Sequence, residues 1–264
     1  MVVKLKNKRI VITGASAGLG ERLAYKAAEK GALPILIARS EDKLNIISEE
    51  VNRIYRIKPV YYKADIGVEK EVAAVFADIK ENIGSVDILV NNAGFGVYDL
   101  VADADMDDYK EMFAVNVFGV IACTKAVLPD MLANNRGHII NIASQAGKVA
   151  TPKSSGYSAT KHAVLGFTNS LRLELLETAI SVSTVNPGPI ETNFFDRADK
   201  SGTYKEKAQK MMMDADHVAG RIVHLMEHPK RELNLPGWMN LGSTLYNLFP
   251  TITEKIAGKK FNMK

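Results

Sequence analysis

Several features that would narrow the function of this chain are missing from it. Cys123 is the only cysteine among 264 residues, so no disulfide can form within the chain, and we expect a buried thiol in a reducing compartment. No stretch rich in proline, glycine and serine divides the sequence, which favours one large domain over two small ones. The longest uncharged stretch, Met112 to Thr124, is too short to span a bilayer.

Two more absences bear on location and partners. No signal-type hydrophobic segment precedes the first apolar strand, so we expect a cytoplasmic protein. Acidic and basic residues are interleaved over most of the chain, and the net charge is only +4. Because no basic block large enough for nucleic acid stands before the C-terminal tail, we expect no nucleic-acid partner.

What the chain does contain is a regular alternation of short apolar strands and amphipathic helices. We predict strands at Arg9–Thr13, Leu33–Ala38, Val60–Tyr62, Ile88–Val90, His138–Ile142, Ser181–Val185 and Glu232–Leu235. Helices are predicted between them, the longest from about Asp107 to Leu132. Because most of these strands are apolar on both faces, the pattern predicts an α/β fold with a doubly wound, mostly parallel sheet and helices on both sides. This single domain is predicted to span residues 1–235.

Two later segments depart from the alternation. Residues 189–214 are polar but include Phe194, Phe195 and Met211–Met213, a composition typical of a mobile flap with an apolar underside. Residues 236–264 form a basic tail in which four apolar residues recur at helical spacing, namely Trp238, Leu241, Leu245 and Leu248. We favour a tail helix packed on its own domain or across a dimer interface. A cap over the substrate pocket and a membrane-surface anchor are the alternatives.

Tyr157 and Lys161 identify a candidate proton-transfer pair. A phenol and an ammonium four residues apart share one face of a helix, and Ser144 lies thirteen residues upstream. The Lys161 charge is expected to favour the phenolate and lower the pKa of Tyr157 from its ordinary value of about 10. By itself the pair is also common on ordinary helix surfaces.

A glycine-rich turn follows the first predicted strand. Gly14, Gly18 and Gly20 stand between that strand and the first helix, where backbone amides can approach phosphates. The alternative is a glycine turn used only for packing. Arg39 follows the second strand in place of an acid that would repel a 2′-phosphate, so Arg39 and Ser16 favour NADP(H) over NAD(H). The nearby acids Glu41 and Asp42 leave open that Arg39 is a solvated turn residue.

In their order and spacing, these motifs resemble those of the classical short-chain dehydrogenase/reductases. The match covers about Lys8 to Asp196 and comprises T-G-x-x-x-G-x-G at Thr13–Gly20, Asp65, Asn91-Asn92-Ala93-Gly94, Asn116, Ser144, Tyr157-x-x-x-Lys161 and Pro187-Gly188. The resemblance implies that Tyr157 exchanges a proton with the substrate oxygen and that Ser144 hydrogen-bonds the same oxygen. It also implies that Lys161 holds the nicotinamide ribose and that Asn116 anchors a water leading from Lys161 to solvent.

The resemblance further implies a cofactor site and a substrate side. The expected cofactor-binding residues are Gly14, Ser16, Gly18, Leu19, Gly20, Arg39, Asp65, Ile66, Asn92, Ala93, Gly94, Tyr157, Lys161, Pro187, Gly188, Ile190 and Thr192. Among them, Asp65 is expected near the adenine, Asn92 on the adenosine side and Thr192 by the carboxamide. Gln145, Phe194 and Phe195 are the expected substrate-side residues.

An NADP(H)-dependent oxidoreductase acting on an apolar carbonyl or secondary alcohol is therefore the expected function. A 3-oxoacyl reductase is the nearest alternative, and a non-catalytic regulator that senses NADP(H) is the alternative from another class. The resemblance favours a homodimer formed by the helices near Asp107–Leu132 and Ser155–Leu176. The family's usual glycine-rich C-terminal ending, which helps to build a tetramer, has no clear counterpart here.

One rival motif occurs near the end of the predicted domain. His224-Leu225-Met226-Glu227-His228 fits H-x-x-E-H, a signature of some zinc proteases. The segment is the last turn of a helix before Pro229, where histidine is favoured by the helix dipole, and no third ligand is indicated. We therefore expect no metal.

Overall fold

A computed structural model describes residues 4–199 and 202–261 of the chain. Its centre is a seven-stranded parallel sheet with the strand order β3-β2-β1-β4-β5-β6-β7. The strands are β1 Arg9–Thr13, β2 Leu33–Ala38, β3 Val60–Lys63, β4 Ile88–Asn91, β5 Gly137–Ile142, β6 Ile180–Pro187 and β7 Glu232–Leu235. All seven predicted strands are confirmed, with their ends extended by two residues at most.

Helices cover both faces of the sheet, which confirms the doubly wound α/β fold. They are α1 Gly18–Glu29, α2 Glu41–Tyr55, α3 Glu69–Asp78, α4 Met106–Phe113, α5 Val120–Ala133, α6 Ser155–Glu174, α7 Phe194–Ala198, α8 Thr203–Ala208, α9 Ala215–Glu227, α10 Gly237–Leu248 and α11 Pro250–Phe261. A π-helical turn, Ile79–Ile83, continues α3, and a second one, Ala114–Gly119, joins α4 to α5.

The alternation of side chains along each strand divides the core into two layers. Ile10 and Ile12 of β1 pack with α1, α2 and α9, whereas Val11 between them packs on the other face with α3, α5 and α6. Each fully buried aliphatic side chain contributes about 1.5–3 kcal/mol by leaving water. Both faces of β1 are therefore committed to the core, and only its carboxyl end is free to take part in a site.

The long helical stretch Met106–Ala133 contains the uncharged stretch expected to be too short to span a bilayer. By length and composition this longer stretch is apolar enough to cross a membrane, with a mean hydropathy of 1.7 over its most apolar part. In the fold, 44% of that part is buried, and Cys123, Val127 and Met131 pack into the core layer beside α3. Core packing accounts for this apolar character, and the predicted burial of the Cys123 thiol is confirmed.

The flap and the tail are both helical. In the flap, Ile190 and Met213 form an isolated backbone β-bridge, and the α7 side chains Phe195 and Ala198 are buried. In the tail, α10 contacts the domain with a face that includes the buried Ser243, while the predicted apolar stripe that begins at Trp238 is exposed. The tail helix therefore packs on its own domain, as predicted, but through a face other than the apolar stripe.

Candidate active site

The glycine turn lies at the carboxyl end of β1, between β2 and β4, where the direction of strand order reverses. Gly14 and Gly18 have φ values of 65° and 56°, which side-chain-bearing residues rarely adopt. At Gly20 a Cβ would come within 2.2 Å of the Gly14 carbonyl oxygen. The turn therefore needs glycine at all three positions, and it leaves the α1 N-terminus clear for an anionic group.

Thr13 joins this turn to the neighbouring strand, a role that the sequence pattern did not reveal. Its hydroxyl oxygen accepts hydrogen bonds from the backbone nitrogens of Asn92 and Ala93, both at 3.0 Å. The side-chain nitrogen Nδ2 of Asn92 in turn donates to the carbonyl oxygens of Thr13 at 2.9 Å and Gly14 at 3.3 Å. The structure thus brings two predicted cofactor segments together and makes Asn92 a brace of the glycine turn.

Arg39 stands at the end of β2 with 62% of its side chain exposed. Its guanidinium lies 3.7 Å from a carboxylate oxygen of Asp65 and 3.9 Å from one of Glu111. Asp65 also accepts a hydrogen bond of 2.8 Å from the Gly67 nitrogen, and Ile66 beside it is buried. The structure therefore places Arg39 and Asp65 together at the edge of the predicted adenosine side.

The predicted remainder of the cofactor site also converges on the turn. A Cβ on Gly18 would lie 3.1 Å from the Thr192 methyl group, so these two segments touch. The Pro187 carbonyl oxygen accepts a hydrogen bond of 3.4 Å from the Ser144 hydroxyl, and the Gly188 nitrogen donates to Leu235. The Leu19 side chain packs into the core layer of α1 and the Ile190 side chain packs against that layer, so a contact of either residue with a cofactor would come from its backbone.

Tyr157 and Lys161 lie one turn apart on α6, and both side chains are buried. The Lys161 ammonium nitrogen donates to the Ile142 carbonyl oxygen at 2.8 Å and lies 5.7 Å from the centre of the Tyr157 ring. The Tyr157 hydroxyl is hydrogen-bonded with the Ser144 side chain. A phenol, an ammonium and a second hydroxyl thus meet at the carboxyl ends of β5 and β6.

The prediction that the pKa of Tyr157 is lowered is wrong when only the groups of the protein itself act on it. Burial raises the pKa of Tyr157 above its ordinary value of 10, although the interaction with the Ser144 side chain opposes this shift. Burial also lowers the pKa of Lys161 from 10.5 to about 8, so Lys161 is only partly protonated at pH values around 8. Spacing in the sequence indicated the attraction between the two groups but not the burial that outweighs it.

Asn116 occupies the π-helical turn between α4 and α5, a kind of irregularity often found at functional sites. Its amide oxygen accepts from the Phe95 nitrogen at 3.0 Å, and its amide nitrogen donates to the Phe95 oxygen at 2.8 Å and to the Thr160 hydroxyl at 3.1 Å. A Cβ on Gly94 would lie 3.0 Å from the Asn116 oxygen and 3.6 Å from the Lys161 nitrogen. Asn116 therefore fixes the loop after β4 beside the lysine, and its role in holding a water stays a prediction.

Aromatic side chains enclose the Tyr157 ring. Phe194 lies 5.5 Å from that ring and Tyr98 lies 6.0 Å from it, measured between ring centres. Tyr204 packs edge-on to Tyr98 at 5.5 Å and also against Phe195. Of the two predicted phenylalanines, Phe194 reaches the site and Phe195 lies behind it. Tyr98 and Tyr204 were missed because Tyr98 comes from the loop after β4 and Tyr204 from α8, two segments without a shared motif.

Polar groups on the other side of Ser144 connect the site to the tail. The Gln145 amide nitrogen donates to the Asn186 carbonyl oxygen at 2.9 Å, which holds this predicted substrate-side residue against β6. The Lys148 ammonium nitrogen bonds to the side chains of Glu232 at 2.6 Å, Asn234 at 2.9 Å and Asn240 at 3.3 Å. Lys148 therefore ties the turn after β5 to β7 and α10.

The H-x-x-E-H motif forms a small cluster at the end of α9. The ligand atoms of His224, Glu227 and His228 lie within 4.8 Å of one another, and the Glu227 carboxylate is 4.0 Å from the Lys30 ammonium. Within residues 4–199 and 202–261, no other group of three or more such side chains comes this close. α9 packs on α1 in a core layer that does not include Tyr157, so the cluster takes no part in the site described above.

Comparison with known proteins agrees with this geometry. The profile of the family described as short chain dehydrogenase matches residues 8–202. The chain therefore belongs to the short-chain dehydrogenase/reductase family, as its motifs predicted. It is an oxidoreductase of a family whose fold binds a nicotinamide cofactor.

Three similar proteins illustrate the range of the family. An NADP-dependent 3-hydroxy acid dehydrogenase of Schizosaccharomyces pombe is 36% identical over 193 residues, which cover 72% of this chain and 74% of that protein. The closed form of a serine dehydrogenase complexed with NADP⁺ is 28% identical with a TM-score of 0.80, covering 86% of this chain and 94% of that one. A short chain dehydrogenase/reductase from Burkholderia phymatum in complex with NAD has a TM-score of 0.87 at 24% identity, covering 95% of this chain and 96% of that one, and shares the fold.

Proposed function

We propose that the protein is an NADP(H)-dependent oxidoreductase that transfers a hydride between nicotinamide and an apolar carbonyl or secondary alcohol. The observation that carries this proposal is the meeting of Tyr157, Lys161 and Ser144 beside the glycine turn. Asn116 completes the set by fixing the loop that packs against Lys161. This arrangement supports proton transfer next to a bound dinucleotide.

The proposed mechanism assigns a proton step to Tyr157. Bound nicotinamide supplies or accepts the hydride. Because the pKa of Tyr157 is raised, its phenol keeps its proton at neutral pH and can donate it to the substrate oxygen during reduction. The Ser144 hydroxyl donates to the same oxygen and stabilises the charge that develops there. Lys161 holds the ribose hydroxyls with its ammonium, whose pKa of about 8 keeps it mostly protonated near neutrality.

The direct test of this mechanism is removal of the Tyr157 hydroxyl. Tyr157→Phe keeps the ring and its aromatic neighbours, so the fold is expected to survive. We expect NADPH consumption with a panel of ketones and aldehydes to fall by about 10²–10⁴-fold. Phe194→Leu serves as a control that alters the pocket and leaves the proton donor in place. Turnover unchanged in Tyr157→Phe would overturn the proposal.

Preference for NADP(H) is assigned to Arg39. Its two carboxylate neighbours lie at 3.7 and 3.9 Å, which are loose ion pairs, and its exposed guanidinium is free to turn toward a 2′-phosphate. Ser16 in the glycine turn is the expected second contact. Arg39→Ala should raise the KM for NADPH about tenfold or more and leave the KM for NADH nearly unchanged. A wild-type enzyme that prefers NADH would contradict this assignment.

The substrate class is inferred from the aromatic enclosure of Tyr157. The rings of Phe194 and Tyr98 have their centres 5.5 and 6.0 Å from the centre of the Tyr157 ring. Apolar ring surface so close to the phenol favours an apolar substrate. The names of the 3-hydroxy acid and serine dehydrogenases favour a second candidate, a 3-oxo or 3-hydroxy acid such as the substrate of a 3-oxoacyl reductase. A substrate panel that pairs lipophilic ketones with 3-oxo acids and their thioesters distinguishes the two. Turnover of polar ketones alone would exclude the apolar class.

A cytoplasmic homodimer is the proposed form of the enzyme. Four large apolar side chains are exposed in the two segments that the resemblance assigns to the interface, namely Phe118, Leu132, Leu173 and Leu176. Their burial between two copies would account for their exposure in the single chain. Light scattering should give the mass of a dimer for the wild type and that of a monomer for Phe118→Glu. A wild-type monomer would refute the proposal.

A further inference from the structure

The C-terminal helices expose a set of large apolar side chains that the active site does not use. We call it the tail face, and it consists of Trp238, Leu241, Leu245, Leu248, Phe249 and Ile252, which are 45–67% exposed. Spacings of three and four residues place the α10 members on one side of that helix. An exposed apolar surface of this kind marks a site of interaction in a folded protein.

The opposite side of α10 is fixed to the domain, and this contact decides which way the tail face points. The Met239 sulfur would lie 2.8 Å from a Cβ on Gly188, so the helix sits directly on the loop after β6. Asn240 accepts a hydrogen bond from the Lys148 ammonium at 3.3 Å, and Ser243 is buried. The domain thus holds α10 through Met239 and the polar residues Asn240 and Ser243 and turns its leucines outward, the reverse of an ordinary amphipathic surface helix.

The residues after α10 add positive charge to this apolar surface. Residues 250–264 contain one acid, Glu254, and four bases, namely Lys255, Lys259, Lys260 and Lys264. Exposed tryptophan, phenylalanine and leucine next to lysines are the features of helices that lie in the interface of an anionic bilayer. Association of two tail faces would instead bring the two lysine-rich segments together and be opposed by like charge.

We propose that the tail face docks the protein on a membrane surface that carries anionic lipid. The helices α10 and α11 would lie in the headgroup region with the tail face directed toward the acyl chains, and the positive charge of this part of the chain would attract lipid phosphates. The proposal concerns binding alone and does not depend on the substrate or cofactor.

Trp238 makes the proposal directly measurable, because it is the only tryptophan in the chain and belongs to the tail face. The full-length protein is mixed with phosphatidylcholine vesicles that contain either no phosphatidylserine or a substantial fraction of it. We expect co-sedimentation and a blue shift of tryptophan emission with the anionic vesicles, both weakened by added salt. Protein that stays in the supernatant with unshifted emission at every composition would overturn the proposal.

Matched variants separate membrane docking from other uses of the tail face. Leu241→Glu combined with Leu245→Glu should lower the partition coefficient about tenfold or more. Ile46→Glu, which places the same charge at a 57% exposed isoleucine of α2, should leave it unchanged. Circular dichroism checks that both variants are folded. A wild-type dimer that the paired leucine variant alone converts to monomer, without vesicle binding by the wild type, would assign the tail face to a second copy and overturn the proposal.

Discussion

At the active site the Tyr157 hydroxyl and the Lys161 ammonium are buried, whereas in the tail Trp238 and Leu241 face outward. Both arrangements oppose the usual partition of polar and apolar groups, and each lowers the stability that the chain would otherwise have. Departures of this kind are expected where a fold serves a function. The two proposed functions assign a separate interaction to each region, one with a reacting molecule and one with a membrane surface.

The largest effect is expected from removal of the buried charge of Lys161. Lys161→Met keeps the length and apolar volume of the side chain but cannot hold ribose hydroxyls or a proton. We expect kcat/KM to fall by about 10²–10⁴-fold, with the fold retained. Activity assays and circular dichroism on the same preparation check this result. An active Lys161→Met enzyme would show that the buried lysine is only structural.

The pH dependence of stability tests whether Lys161 is buried as a charged group. Burial lowers the pKa of Lys161 to about 8 in the folded chain, while the unfolded chain keeps the ordinary value of 10.5. Between these two pH values the unfolded state binds more protons than the folded state. The buried Lys161 therefore lowers the free energy of unfolding by its full amount below pH 8 and not at all above pH 10.5. The shift corresponds to about 3 kcal/mol.

This titration is best measured as a difference between two proteins. Tyrosines with raised pKa values act in the opposite direction above pH 10, so the wild type alone would mix both effects. The stability of Lys161→Met relative to the wild type should therefore decrease by about 3 kcal/mol between pH 8 and pH 10.5 in urea unfolding. A difference that does not change with pH would mean that Lys161 is not a buried charge.

The contact between the two regions offers a smaller effect. The Lys148 ammonium lies 2.6 Å from the Glu232 carboxylate, and both groups are mostly buried. Lys148→Ala leaves Glu232 and the Asn240 oxygen without this donor, so we expect a loss of about 1–3 kcal/mol in the free energy of unfolding. Because α10 loses one tie to the domain, the fluorescence anisotropy of Trp238 should also fall. Lys153→Ala on a nearby turn is the control, and equal effects of the two variants would contradict this role of Lys148.

Local patterns sufficed for the sheet and for selecting residues that the fold brings together at the candidate site. Most strands between Arg9 and Leu235 are short apolar runs, and the motif residues such as Ser144 and Tyr157 keep a fixed order along the chain. The brace made by Thr13 could not be read in this way, because its partners are 79 and 80 residues away. Contacts over such distances depend on the order of strands in the sheet.

Burial is the other quantity that the sequence left undetermined. The spacing of Tyr157 and Lys161 gave the attraction between them, but the pKa of each group is dominated by its removal from water. In the tail, the same spacing rule showed which leucines share a face and not which way that face points. Its direction is set by the contacts of Lys148 and Gly188 with α10, which lie far away in the sequence.

The smallest expected effect tests whether the tail face is truly unpartnered within the chain. Leu241 is exposed, so Leu241→Ser should change the free energy of unfolding by less than about 0.5 kcal/mol. Leu44 of α2 is fully buried, and Leu44→Ala should cost about 2–5 kcal/mol because it leaves a cavity. Urea unfolding of both variants without lipid gives the comparison. If Leu241→Ser were as costly as Leu44→Ala, the tail face would pack against protein in solution, and the contrast with the active site would not hold.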